Sequence, residues 1–274
     1  MSHVLLAGAS GVVGRRVVPL LVAHGHQVTA LSRRPQDLPV DVVIGDVFDR
    51  EALIETVRRV SPDVVMHQLT DLSGRDFAAN AEIRRTGTRN LVDAALAAGA
   101  GKVIAQSIAW VYEPGDKPAT EQTPLDNAPE RAGTVGAVAA LEEAVREAPE
   151  WVVLRYGLFY GPTTWYARDG LMGEQARAGE LVADGDVSSF VHVDDAASAA
   201  VAALDWPSGV VNVVDDEPAA GHDWLPVFCT AVGAPPPSTS DTRHGWARGA
   251  DNSHARGLGW VPRHPSWRTG FDAW

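Results

Sequence analysis

Short apolar runs alternate with longer amphipathic ones through the first half of the chain. "HVLLAGAS" is an apolar run that ends in glycine, and "VVGRRVVPLLVAHG" follows with apolar residues at helical spacing up to Gly25. "QVTALSR" and "VDVVIGD" read as two more short strands, and "REALIETVRRV" as a helix whose N-cap is Asp49. "PDVVMHQL" is strand-like, "GTRNLVDAALAAG" is helix-like and stops at Gly99, and "KVIAQSI" and "WVVLRYG" complete the series. The strands are apolar on both faces, as strands covered by helices on two sides must be. Strand and helix in alternation predict an α/β fold, a doubly wound and mostly parallel sheet.

After Gly161 the regularity weakens. "VSSFVHVDDAASAAVAAL" is a strand running into a helix, "GVVNVVDDEP" one more strand, and "WLPVFCTAVG" a helix, followed by the Pro-rich "GAPPPSTS" and an irregular tail. Residues 1–160 are expected to form the main core and 161–274 a small C-terminal substrate lobe. The pieces of the lobe interleave with the core, so a single compact unit is expected.

Composition narrows the function classes. Of the 274 residues 45% are hydrophobic and 21% charged, ordinary for a globular protein. A formal net charge of -12 lacks the basic footprint of general nucleic-acid binding. No run of about 18 apolar residues occurs, so no membrane helix is expected. The start reads as a first strand, not a signal peptide. The single cysteine, Cys229, lies in an apolar stretch as a packing residue, and with no disulfide to form the chain fits a reducing cytoplasm. No metal centre is expected, because no His-Glu-x-x-His or paired-cysteine spacing occurs. Nine tryptophans suit either core packing or an aromatic-walled pocket. Trp110 and Trp165 are the candidate pocket aromatics, and they would favour a small, fairly apolar substrate.

Gly8, Gly11 and Gly14 form G-x-x-G-x-x-G between the first strand and the first helix. Glycine permits a sharp turn and close approach of backbone to a pyrophosphate, and the helix N-terminus adds free N–H groups. Ser10, Val12 and Val13 complete this expected dinucleotide loop. An NAD site commonly places an acid about 20 residues further on. Here Ser32, Arg33 and Arg34 stand at the end of the second strand, and a guanidinium pair suits a 2′-phosphate, so NADP(H) is expected over NAD(H). Asp46 either accepts from the adenine amino group or caps the next helix. Val47, His67 and Leu69, at later strand ends, join the expected cofactor set, His67 as either a cofactor-side or a core residue.

Taken in order, "GASGVVG", "GTRNLVDAA", "LRYGLFYGP", "FVHVDDAA" and "LGWVP" resemble the extended short-chain dehydrogenase/reductase superfamily, in its NAD(P)-dependent epimerase/dehydratase group. The resemblance runs over nearly the whole chain. It implies a Rossmann domain with a substrate lobe, and a homodimer formed through two helices. It also implies Ser/Thr followed by Tyr-x-x-x-Lys, the tyrosine as acid/base and the lysine lowering its pKa. This chain departs from that pattern. Ser107 stands one position before the usual hydroxyl, and "TVGAVAALEEAV" places Thr134 and Val138 at the tyrosine and lysine. No tyrosine lies between Tyr112 and Tyr156, and the lysine in that interval is Lys117. Arg84 stands where the family has an asparagine.

Proton chemistry could then fall to Ser107, Tyr112, Tyr160 or His192, the last beside Asp194 and Asp195. Each has a structural alternative: His192 and Asp194 as lobe-packing residues, Tyr156 and Tyr160 as pocket walls. The reading reached is an atypical NADP(H)-dependent oxidoreductase acting on a small molecule, with no nucleic-acid or membrane partner. Two alternatives remain open: a non-redox enzyme, for cyclisation or isomerisation, that reuses the cleft, and a cofactor-binding sensor that has lost catalysis.

Overall fold

The computed structural model describes residues 1–71 and 76–272. In chain order the strands are β1 (His3–Ala7), β2 (Gln27–Ser32), β3 (Asp41–Ile44), β4 (Val64–His67), β5 (Lys102–Ile108), β6 (Glu150–Tyr156), β7 (Leu158–Tyr160), β8 (Val182–Ala183), β9 (Val187–Ser188), β10 (Phe190–His192), β11 (Gly209–Val213), β12 (Ala219–Ala220) and β13 (Ser238–Thr239). The helices are α1 (Gly14–Ala23), α2 (Arg50–Val60), α3 (Phe77–Glu82), α4 (Thr88–Ala97), α5 (Ala132–Val145), α6 (Leu171–Arg177), α7 (Val193–Ala202), α8 (Gly221–Ala231), α9 (Ser253–Gly257) and α10 (Trp267–Gly270).

Seven strands form one sheet in the order β11-β6-β5-β4-β1-β2-β3. The pairs β1–β2, β1–β4, β2–β3 and β4–β5 are parallel. After β3 the chain returns to the other side of β1, so the strand order reverses between β1 and β4. In a doubly wound sheet a dinucleotide binds at the carboxyl ends of the strands flanking such a reversal. The expected α/β, Rossmann-like architecture is therefore the one observed.

The chain divides into two compact units. One comprises Met1–Ser107, Asn127–Leu154 and Ala200–Val210; the other comprises Ile108–Asp126, Arg155–Ala199 and Val211–Trp274. In the first, Leu5, Ala7, Val65, Val103 and Ala105 pack against Leu53, Val57, Leu91, Leu141 and Val145, with little or no exposure. Asp49 caps α2 as the sequence predicts, its Oδ1 accepting the Ala52 N–H at 3.2 Å; such a cap is worth about 1 kcal/mol. The helix preceding β5 begins earlier than its periodicity suggests. It starts at Phe77 and passes through a π turn, Ile83–Gly87, before α4. At Gly87 a Cβ would come within 3.1 Å of Val47 Cγ2, and the closeness of that approach explains the glycine.

The second unit is built around aromatic rings. Phe190 meets Trp224 at 5.1 Å and Tyr166 at 5.3 Å between ring centroids, and Phe228 meets Phe271 at 5.1 Å, all edge-on. Each such pair contributes about 0.5–1.5 kcal/mol beyond its buried area. Cys229 is buried in this cluster. Two buried carboxylates fix the irregular tail. Asp195 accepts the N–H groups of Arg263 and His264, each at 2.8 Å, and Asp215 accepts that of Trp267 at 2.8 Å. Among the described residues no helix is long and apolar enough to cross a membrane.

Candidate functional site

The glycine loop of the first unit is shaped by what a side chain would strike. Gly8 has φ +95°, and a Cβ there would lie 2.5 Å from the Gln68 carbonyl oxygen. A Cβ at Gly14 would collide with the Gly8 carbonyl oxygen. The Gly11 N–H closes the turn onto that same oxygen at 3.0 Å. Helix α1 starts at Gly14 without a side-chain cap, which leaves its first N–H groups without a side-chain acceptor. Two arginines brace the loop: Arg15 Nε donates to Ser10 O at 2.8 Å and Arg16 Nη1 to Val12 O at 2.9 Å. Val13 is buried and Val12 exposed. A backbone cradle with no room for side chains fits a dinucleotide pyrophosphate.

Ser32 ends β2 beside that loop, with Ala7 and Leu31 in register. Arg33 and Arg34 follow it as exposed residues, the Arg34 N–H donating to Ser32 Oγ at 3.3 Å. The Gly45 N–H donates to Ser32 O at 3.0 Å, which brings Asp46 to the same strand-end region. Asp46 Oδ1 accepts the Phe48 N–H at 3.0 Å. Val47 is buried, and its carbonyl accepts Asn90 Nδ2 at 2.8 Å.

His67 is a buried histidine with both nitrogens engaged. The Leu69 N–H donates to Nδ1 at 3.1 Å, so Nε2 carries the proton and donates to Thr88 Oγ1 at 2.9 Å. Burial, reinforced by the Arg84 charge, lowers its pKa to about 4. Arg84 sits in the π turn, and burial lowers its own pKa to about 10.

The four groups considered for proton transfer are placed as follows. Ser107, in the first unit, is buried and donates to Glu142 Oε1 on α5 at 3.0 Å. The other three lie in the second unit. Tyr112 donates to Asn212 Oδ1 and lies under the Arg155 guanidinium, 4.8 Å from its ring centroid; burial raises its pKa to about 12. Tyr160 is fully buried among Phe190, His192 and Phe271, and burial raises its pKa far above the phenol range. His192 stacks on His264 with centroids 3.8 Å apart, and its Nδ1 accepts the Asp194 N–H at 3.2 Å. His192, Asp194 and His264 also bring ligand-type atoms within 4.8 Å of one another. Helix α5 carries neither tyrosine nor lysine; Thr134 on it is exposed and Val138 fully buried.

The second unit also contains a cavity of about 210 Å³ lined by Trp110, Leu158, Asp186, Ser189, Trp246 and Arg248, among others. Trp246 was not singled out by sequence, since nothing local marks it as a pocket wall. Trp165 packs instead against the aromatic core. Arg248 is tied to the backbone, Nε donating to Lys117 O at 2.6 Å and Nη1 to Glu113 O at 3.1 Å. Asp186 accepts the His244 N–H at 2.6 Å and pairs with its ring Nδ1 at 2.8 Å.

Known proteins resemble this chain at several levels. The 3-diazoavenalumate denitrifying reductase of a Streptomyces species is 46% identical over 300 aligned positions, covering 98% of this chain and 99% of that protein. The ceramide reductase of Caulobacter vibrioides is 29% identical, over 82% of this chain and 68% of that one. Among solved structures, Bordetella bronchiseptica WbmG in complex with NAD and UDP superposes with a TM-score of 0.81 at 22% identity, over 100% of this chain and 93% of that chain. Thermus thermophilus UDP-glucose 4-epimerase in complex with NAD does so with a TM-score of 0.76 at 23% identity, over 98% and 96%. At such identities the structures speak for the fold. The model of the NAD dependent epimerase/dehydratase family matches residues 4–214, so the sheet, the glycine loop and the sequence agree, and the chain belongs to that family.

Proposed function

We propose that the protein is an NADPH-dependent reductase that removes dinitrogen from a small aromatic diazonium compound. One observation carries the reading: a dinucleotide cradle is present, while α5 has neither tyrosine nor lysine and the tyrosines considered as donors are buried with raised pKa values. Reduction of a carbonyl needs both a hydride and a proton. Reduction of a diazonium needs the hydride alone. A C–H bond forms at the carbon bearing nitrogen, the C–N bond breaks, and its electron pair leaves with N2. Carbon is reduced by two electrons, the dihydronicotinamide is oxidised by two, and no proton is consumed. The relative at 46% identity, whose name describes reductive loss of nitrogen from a diazo compound, supports the same chemistry.

The glycine loop would hold the pyrophosphate, and Arg33 and Arg34 the 2′-phosphate of NADP(H); when bound, the dinucleotide supplies the hydride. In the second unit, Trp110 and Trp246 would give the cavity aromatic walls for a ring, with Asp186 and Arg248 as charged groups on its lining. At about 210 Å³ the cavity would suit a small substrate. The test is anaerobic turnover of an arenediazonium carboxylate with NADPH. One equivalent of N2 per reduced cofactor consumed is expected; consumption without N2 would overturn the reading.

A further inference from the structure

Between His67 and Leu69, at the apolar end of β4, stands the polar residue Gln68. Gln68 is 5% exposed, and among the described residues neither its Oε1 nor its Nε2 has a hydrogen-bond partner. A buried primary amide left unpaired is costly, because two donors and an acceptor have given up water for nothing. Its neighbour across the strands shows the ordinary solution. The β4–β5 register ends at His67 opposite Ala105, which sets Gln68 level with Gln106. Gln106 Nε2 donates to Leu69 O at 2.7 Å. Of two carboxamides in one row, one is satisfied and the other is not.

The position of the unsatisfied one is informative. The Gln68 N–H donates to Ala7 O at 2.8 Å, which ties it to the last residue of β1. Its carbonyl is the group that Gly8 must approach without a Cβ. Gln68 therefore stands at the carboxyl ends of β1 and β4, where the strand order reverses and a dinucleotide binds. The missing partner has to offer both an acceptor for Nε2 and a donor for Oε1. A pyrophosphate only accepts and would leave Oε1 stranded. A ribose hydroxyl or a carboxamide can do both.

We propose that the Gln68 carboxamide is a cofactor-binding group, held in the free protein at a cost to stability, that pairs with a ribose hydroxyl or the carboxamide on the nicotinamide side of the dinucleotide. The inference rests on the dinucleotide reading and adds to it a specific contact and a specific half of the ligand. Stability and affinity then trade against each other at one residue.

The experiment uses the full chain and the apolar variants Gln68→Leu and Gln68→Met, which fill similar volume and remove both polar atoms. Two readouts are taken: the thermal midpoint without ligand, and Kd for NADPH, for 2′-phospho-ADP-ribose, which lacks the nicotinamide, and for adenosine 2′,5′-bisphosphate, which lacks that whole half. At least one variant is expected to match or exceed the wild-type midpoint and to bind NADPH roughly tenfold more weakly. A loss confined to NADPH assigns the carboxamide as partner. A loss shared by 2′-phospho-ADP-ribose but not by the bisphosphate assigns the ribose. Unchanged affinity for all three, an equal loss for all three, or a lowered midpoint in both variants would overturn the proposal. If the wild-type chain bound no dinucleotide, the cofactor reading would fall first and this one with it.

Discussion

The Ser107 hydroxyl donates to Glu142 Oε1 at 3.0 Å, and both side chains are buried. The Ser107 hydroxyl is therefore spent on the packing of β5 against α5. Glu142 is also 3.8 Å from Arg146, whose side chain is about half exposed. Ser107→Ala removes the serine's hydrogen bond to a buried carboxylate and is expected to cost about 1–3 kcal/mol of stability. Chemical denaturation measures that cost, and turnover corrected for the folded fraction should fall less than tenfold. A drop of a hundredfold or more in an intact fold would restore Ser107 to the chemistry.

Arg33→Asp should separate the two cofactors. The loss of one guanidinium and the gain of a carboxylate should weaken NADPH binding roughly ten- to hundredfold, with little loss or a gain for NADH. Fluorescence titration with each cofactor gives the two Kd values, and equal losses would refute the NADP(H) assignment.

His67 should make stability depend on acid. Its pKa falls from 6.5 to about 4 on folding, so the unfolded chain takes up a proton before the native one does. The His67 contribution is full above pH 6.5 and is lost as pH falls toward 4, by an amount on the order of 3 kcal/mol. Asp215 acts in the other direction, since burial raises its pKa to about 8 and its ionisation in the unfolded chain lowers stability as pH rises from about 4 to 8. Comparing His67→Gln with the wild type isolates the first effect. The variant's stability should fall less between pH 6.5 and 4, and parallel curves would contradict the assignment.

Helix α5 should refuse the residues it lacks. Val138 has no exposure, and Val138→Lys would force a longer, charged side chain into the packed face of α5, where the one nearby carboxylate on the helix, Glu142, is already engaged by Ser107, at a cost of roughly 3 kcal/mol. Thermal unfolding should show a large fall in midpoint. A stable variant would mean that the helix can present a lysine after all.

What could be read from the sequence was mostly local. The glycine loop, the Asp49 cap and the apolar strands depend on residues a few positions apart, and each appears where its pattern places it. What escaped depends on distance along the chain. Ser107 finds Glu142 after 35 residues, and Asp195 holds Arg263 after 68. Helix α3 and its π turn were missed because "FAANAEIRRTG" has no clean apolar stripe. Gln68 is a polar residue in an apolar strand end, a visible irregularity, but its lack of a partner emerges only when its neighbours across the sheet are known. Trp246 became a pocket wall only through the fold of the second unit.

Hydride alone is expected to drive the reaction, and isotope tracing tests this directly. Turnover of an arenediazonium carboxylate is followed with 4-deuterated NADPH in ordinary water, and with unlabelled NADPH in deuterium oxide. One deuterium is expected at the carbon that lost nitrogen in the first case and none in the second, with a rate insensitive to pH between about 6 and 9. Deuterium arriving from solvent at that carbon would show that a proton donor takes part, and would contradict this.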